Sequence, residues 1–264
     1  MKVQIHVIAD FVLPQATPAL IQVEPREIPS VQVVEHSALR VTPPADIHAY
    51  TDLYGNACRR LLCAQGDARI EYSAMVTFPD DQAAPAQLSQ CDPMLLPPET
   101  LHYTVPSRYC QSDLLAKMAE DEFAGVDAGS LRVQAICDWI NKRITYQYSV
   151  SNSNTSAYDT AAQRIGVCRD FAHLGIAFCR ALDMPARYVS GYCLGLQPPD
   201  FHAWFQVYLG GQWVNFDATD SAPRAALVAV SIGRDAADCP WSTFYGSGEV
   251  RSVSVDVRDD HPRT

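Results

Sequence analysis

Cys168 lies in the stretch Gly166-Val167-Cys168-Arg169-Asp170-Phe171-Ala172-His173-Leu174. The spacing of Phe171, Leu174, Phe178 and Leu182 predicts a helix over 167–182, stopped soon afterwards by Pro185. A cysteine in the first turn of that helix meets unpaired backbone N–H groups and the positive end of the helix dipole. Both favour the thiolate, the form that attacks carbonyl carbon. Its own N–H would point toward the oxygen of a carbonyl under attack, one half of an oxyanion hole. The glycine before it leaves room for a sharp turn into the helix. The other eight of the nine cysteines, such as Cys179 in mid-helix and Cys193 in a strand, read as small core residues.

A thiol nucleophile needs a group to hold its proton, and imidazole is the usual one. Of seven histidines, His202 opens the strand-like segment His202–Leu209, and Asp217 closes the next, Gln212–Asp217. Gly210-Gly211 between them is a two-residue hairpin signal that pairs 209 with 212. His202 then sits near the level of residue 219, so Asp217 is a diagonal neighbour at roughly 7–8 Å between backbones. A carboxylate there can hold an imidazole N–H, fix its tautomer and stabilise the imidazolium. Asp220 serves equally well on geometry alone. His173, five residues beyond Cys168 on one helix, would point about 140° away, which favours His202 as the base. Taken singly, His202 reads as a half-buried strand histidine and Asp217 as a strand-end acid; their placement relative to Cys168 makes them a candidate triad.

The elements that must position these groups fall into two blocks. The first hundred residues read as β: Val3–Val7, Ile28–His36, Leu39–Val41, Cys58–Cys63 and Arg69–Thr77 are short apolar or β-branched runs separated by Pro, Gly, Asn and Asp. Asp52-Leu53-Tyr54-Gly55, followed by Asn56, looks like a turn into a strand. Gln82 to Pro98 has no regular periodicity and reads as a connection. Helical spacing begins after Ser112, a plausible N-cap, and again after Ser130 with Leu131, Ile136, Trp139, Ile140 and Ile144 on one face. The polar run 149–156 reads as a surface loop at the border of a site. After the cysteine-bearing helix come Ala186–Leu194, the hairpin, and a closing pair, Leu227–Ile232 with Val250–Val257. A helix followed by an antiparallel sheet is an α+β domain, here preceded by a β-sandwich-like one. The expected division is 1–105 and 106–264.

A formal net charge of −10 with no basic run speaks against nucleic acid and anionic membrane as partners. No apolar run reaches the ~18 residues of a membrane span, and the N-terminus shows no signal-peptide pattern. An odd number of irregularly spaced cysteines without a CxxC pair points to free thiols and a reducing compartment, with cytoplasm the expectation.

Together the three stretches resemble the bacterial transglutaminase-like family, whose members are described as cysteine proteases. The family's Gly-Val-Cys-x-Asp-Phe-Ala-His-Leu motif is met by 166–174, its His-Ala-Trp motif by His202-Ala203-Trp204, and its Asp motif by Phe216-Asp217-x-Thr219. The order Cys, His, Asp also fits. Gly233-Arg234-Asp235 with Asp238 resembles a downstream family signature, read here as an Arg–Asp pair that fixes a loop. The sequence departs from the family in two places: Gln206 stands where Glu is common, and Ala218 where Pro is common. The resemblance implies a papain-like α+β catalytic domain in which Cys168, His202 and Asp217 act as a triad, with an N-terminal β domain.

The implied activity is acyl transfer through a thioester. With water as acceptor it is a cysteine peptidase or amidase, the favoured reading; with an amine it is a transglutaminase. The substrate is a peptide or protein, and no cofactor or metal is expected. A non-catalytic peptide-binding module would keep the same residues unused. A zinc site from the same three residues lacks the short ligand pairs of structural sites. Gln163 and Tyr158 are positional candidates for the second oxyanion donor.

Overall fold

The computed structural model describes residues 1–28, 31–78, 87–219, 221 and 227–260. Asp220, the geometric rival to Asp217, lies outside them, as does most of the first half of the expected connection at 82–98. Six strands come first: β1 (Lys2–Leu13), β2 (Thr17–Ile21), β3 (Val33–Thr42), β4 (Ile47–Thr51), β5 (Ala57–Cys63) and β6 (Gly66–Thr77). Along β1 and β6 every second residue is buried, which gives each strand one core face and one wet face. The later part of the run expected at 28–36 joins the run at 39–41 in β3, with a register shift between Val34 and His36, while Ile28 bridges Gln32. The sequence analysis missed β2, which carries Pro18, and β4, in which all five residues are exposed.

The helical part holds α1 (Ser112–Phe123), α2 (Ser130–Arg143), α3 (Ala157–Gln163) and α4 (Cys168–Ala181). Ser112 is the first helical residue rather than the cap, a place taken by Gln111. Leu131, expected on the apolar face, is exposed. Two dipeptides, β7 (Thr145–Tyr146) and β8 (Ile165–Gly166), pair in parallel. Then follow β9 (Ala186–Cys193), β10 (His202–Leu209), β11 (Gln212–Phe216) and β12 (Leu227–Gly233), in the sheet order β11-β10-β9-β12. The hairpin register is as expected, with Leu209 opposite Gln212 and left-handed backbone at Gly210 and Gly211. Helix α4 packs on β10 and β9, and its apolar side shares one core with α1, α2 and the near face of this sheet.

The chain's end corrects an expectation. The closing strands do not pair with each other: β12 lies beside β9, whereas β13 (Ser242–Phe244) pairs with β2 and β14 (Glu249–Asp259) with β1. The two sandwich sheets thus run β14-β1-β6-β3 and β13-β2-β5-β4. Two strands inside the block expected at 106–264, β13 and β14, thus pair with strands of the first block. The physical reason lies in composition. Every residue of β12 is buried, as suits a strand covered on both faces, while β14 alternates valine with polar residues and is mostly exposed, as suits an edge.

The sandwich and the second sheet share contacts. Tyr192, Val228 and Val230 of β9 and β12 belong to the sandwich's apolar core. The turn expected at 52–56 forms, with Gly55 N–H on Asp52 O at 3.0 Å, and delivers Asn56 to β12. There the Asn56 carboxamide accepts from Ile232 N–H at 2.9 Å and donates to Ile232 O at 2.8 Å. Gln32 does the same at Ala229, with 2.9 and 2.8 Å. Two side-chain amides thus stand in for a neighbouring strand and satisfy the edge of β12.

Candidate active site

Cys168 is the first residue of α4, and the turn that presents it is built by its neighbours. Asp170 Oδ2 accepts from Val167 N–H at 2.9 Å, returning a side chain from the helix's first turn to the residue ahead of it. A Cβ at Gly166 would come within 2.8 Å of Asp170 Cβ, so only glycine lets this carboxylate reach its place. Arg169 leans on Asp170 Oδ1 and donates through Nη2 to Asn152 O at 2.8 Å. The polar loop at 149–156 therefore borders the cysteine turn. Ser156 and Asp159 close that loop with a capping box on α3.

His202 and Asp217 meet as the hairpin register requires: His202 Nε2 lies 2.7 Å from Asp217 Oδ2, with both side chains almost fully buried. Asp217 Oδ1 in turn accepts from Thr219 N–H at 2.9 Å and from the Thr219 hydroxyl at 2.8 Å, which accounts for Asp-x-Thr. Asn141 of α2 holds the same turn through Ala218 O and Thr219 O. With Nε2 taken by Asp217, Nδ1 of the ring is left for Cys168. Burial disfavours a charged imidazole here. Hydrogen bonds to Asp217 and to Cys168, with the charges behind them, outweigh it and push His202 up to about 10.

His173 has the opposite surroundings. It is fully buried, stacked 5.1 Å from Tyr109 and tilted against Tyr188 at 5.2 Å, and its Nε2 accepts from Ala236 N–H at 3.1 Å. Burial, then Arg169 and Arg180, holds its pKa well below the ordinary value. It is a neutral packing residue. The Arg–Asp pair read from Gly233-Arg234-Asp235 forms with a different acid: Arg234 bonds Asp238 through Nε at 3.0 Å and through its own N–H at 2.9 Å, and reaches Tyr54 Oη across to the sandwich. Asp235 accepts instead from the backbone N–H groups of Tyr109 and Ala237.

Around the strand histidine, Trp204 Nε1 and Gln206 Nε2 both donate to Asn215 Oδ1, and Gln206 Oε1 accepts from Arg187 Nε at 2.8 Å. The departure from glutamate at 206 thus leaves the hydrogen bond to Arg187 but removes a countercharge. Tyr158 and Gln163, proposed from position, sit exposed on α3. Sequence reasoning missed Tyr146. Held opposite Gly166 by the β7–β8 pairing, it rests 5.6 Å from the Phe171 ring, with its phenol near enough to Cys168 to be influenced by it. Burial and then the neighbouring Cys168 raise its pKa. A two-residue strand has no periodicity to read, so no sequence signal pointed to it. Among the described residues no group of three or more His, Cys, Asp or Glu is arranged to hold a metal ion.

Comparison with known proteins gives a consistent family. A family model described as the transglutaminase-like superfamily matches residues 116–218. Along its whole length the chain is similar to a solved structure of a candidate cysteine protease from Cytophaga hutchinsonii. That match is 36% identical, covers 100% of this chain and 92% of that one, and has a TM-score of 0.93. An uncharacterized protein of Mycobacterium leprae is 34% identical over 138 residues, 47% of this chain and 48% of that protein. One from Mycobacterium tuberculosis is 36% identical over 132 residues, 43% and 42% of the two chains. The matched stretch spans about half the length of these curated relatives.

Proposed function

The chain belongs to the transglutaminase-like superfamily, and we propose that it is a thiol-dependent acyl-transfer enzyme that hydrolyses peptide or amide bonds through Cys168, His202 and Asp217. The observation that carries this reading is the buried 2.7 Å bond from His202 to Asp217, with the ring's other nitrogen left for a cysteine at a helix N-terminus. In the proposed cycle the Cys168 thiolate attacks the carbonyl carbon, and the Cys168 N–H receives the oxygen as it becomes negative. Nδ1–H of His202 protonates the departing amine, leaving a thioester. Nδ1 then takes a proton from water, whose oxygen attacks the thioester carbon, and the C–S bond breaks to release the acid product and restore the Cys168 thiolate beside the protonated ring. Asp217 holds Nε2–H throughout and keeps the positive ring in place. We infer the Tyr146 hydroxyl, which lies near Cys168, as the second donor to the developing oxyanion.

We infer water as the acceptor; an amine acceptor would make the same triad a transglutaminase. Cys58, Cys63, Cys91, Cys110, Cys168, Cys179, Cys193 and Cys239 are free thiols, which suits a reducing compartment, and we place the protein in the cytoplasm. Among the described residues no helix is long and apolar enough to cross a membrane. The test is incubation of the full chain with a glutamine-containing peptide library, with and without excess methylamine, read by mass spectrometry. Cleaved or deamidated peptides, lost in Cys168→Ala, support hydrolysis. Amine-modified peptides in place of hydrolysed ones would shift the assignment to transfer. No change in any peptide, with Cys168 still open to alkylation, would contradict enzymatic function on this substrate class.

A further inference from the structure

Strand β14 ends its sheet, so one of its edges pairs with β1 and the other is open among the described residues. It is 11 residues long, and on its core-facing side Val250 and Val253 are still 50% and 38% exposed. A long open edge offers unpaired N–H and C=O groups to another chain, and charges usually spoil it. The order of the charges along β14 therefore decides what the edge can accept. The register with β1 fixes the two faces. Val250, Val253, Val255 and Val257 lie opposite Phe11, Ala9, Val7 and Ile5, which are buried. Glu249, Ser252, Ser254, Asp256 and Arg258 turn to the wet face. Arg251 is the extra residue of a bulge between the Asp10–Ser252 and Phe11–Val250 pairs, and it reaches Asp67 on the wet face.

A second copy of β14 can meet this edge antiparallel about a two-fold axis, with directly opposite residues on one face. An axis at Ser254 meets that condition along the strand. Val253 then faces Val255 of the second copy, and Arg251 and Ser252 together face its Asp256. Past the bulge the count shifts by one, so Val250 faces Val257 and Glu249 faces Arg258. Neighbouring registers fail on charge. An axis at Val255 sets Arg251 against Arg258, and an axis at Val253 sets Glu249 opposite Asp256, both like-charge pairs that destabilise. The existing pairs Arg251–Asp67 and Arg258–Asp256, each at 2.7 Å, are exposed and worth little, so both arginines are available to be shared.

We propose that β14 pairs with β14 of a second copy of this chain about a two-fold axis at Ser254, joining two four-stranded sheets into one of eight. The interface does not depend on the chemistry assigned to Cys168.

The test is sedimentation of the full chain over a range of concentrations, where the wild type is expected to dimerise. Glu249 and Arg258 are exposed, so reversing them leaves the core untouched. Glu249→Arg and Arg258→Glu each set like charges opposite one another at two symmetric places and should weaken the dimer about tenfold. The double exchange should restore it. Ser254→Cys, made together with Cys168→Ala so that the cleft thiol does not compete, places a cysteine opposite its own copy. Directly opposite Cα atoms lie ~4.5–5.5 Å apart, within reach of a disulfide. Mild oxidation should therefore give a 254–254 link by mass spectrometry, whereas Ser252→Cys should give no 252–252 link. A wild type that stays monomeric at every concentration, a dimer indifferent to both charge reversals, or a 252–252 link in place of the 254–254 one would overturn the proposal.

Discussion

The two buried histidines near α4 sit in regions that treat the same side chain oppositely. At the helix's N-terminal end His202 meets a carboxylate and a thiol and is pushed up to about 10. Toward the middle His173 meets two tyrosine rings and a backbone N–H, and burial drives it well below its ordinary value. Burial is nearly complete at both, so it does not decide the outcome; the partners do. The cysteines follow the same division. Cys179, one face further along α4, is buried among apolar residues and has its thiol pushed up by that burial. Cys168 stands at the open N-terminal turn. One helix thus carries the proposed reactive end and a packed interior built from the same residue types.

Substitutions that exchange the roles of the two regions should break this contrast. The largest effect is expected for Cys168→Ala, which should lower turnover by about 10,000-fold, while Cys179→Ala leaves turnover within a few-fold, measured on whichever peptide the library yields. Asp217→Asn should follow at about 1,000-fold in kcat with the fold retained by circular dichroism, because the ring loses its orienting charge. Gly166→Ala should slow Cys168 alkylation by about tenfold and cost about 1 kcal/mol in urea unfolding, since the new methyl displaces Asp170 from Val167 N–H.

His173→Phe sharpens the contrast from the packed side. It strands Ala236 N–H and should cost about 2 kcal/mol, with the alkylation rate unchanged. The smallest effect is a pH drift. His202 is raised above its ordinary 6.5, so the stability contributed by the charged ring is full below about 6.5 and is lost as pH rises toward about 10. Thermal unfolding of the wild type should therefore fall over that window more steeply than that of His202→Gln.

Much of the reactive region was legible because its signals are local. Gly210-Gly211 fixes the register that brings His202 to Asp217, and the 3.6-residue spacing after Val167 fixes the helix that presents Cys168. What stayed hidden depends on distant pairing. Tyr146 reaches the cysteine turn through a two-residue parallel bridge, and Asn56 meets Ile232 across 176 residues of chain. The closing strand β14 returns to β1 because its alternating, exposed composition suits an edge, a property that says nothing about which edge it joins. The wholly exposed β4 carries no alternation to read.

The most direct test of the central claim is the iodoacetamide alkylation rate of each cysteine against pH, resolved by mass spectrometry, in wild type and His202→Ala. Cys168 is expected to react far faster than the buried thiols near neutral pH, and to lose this advantage without His202. Equal reactivity of Cys168 in the two proteins would contradict a thiolate–imidazolium pair and leave the triad as packing alone.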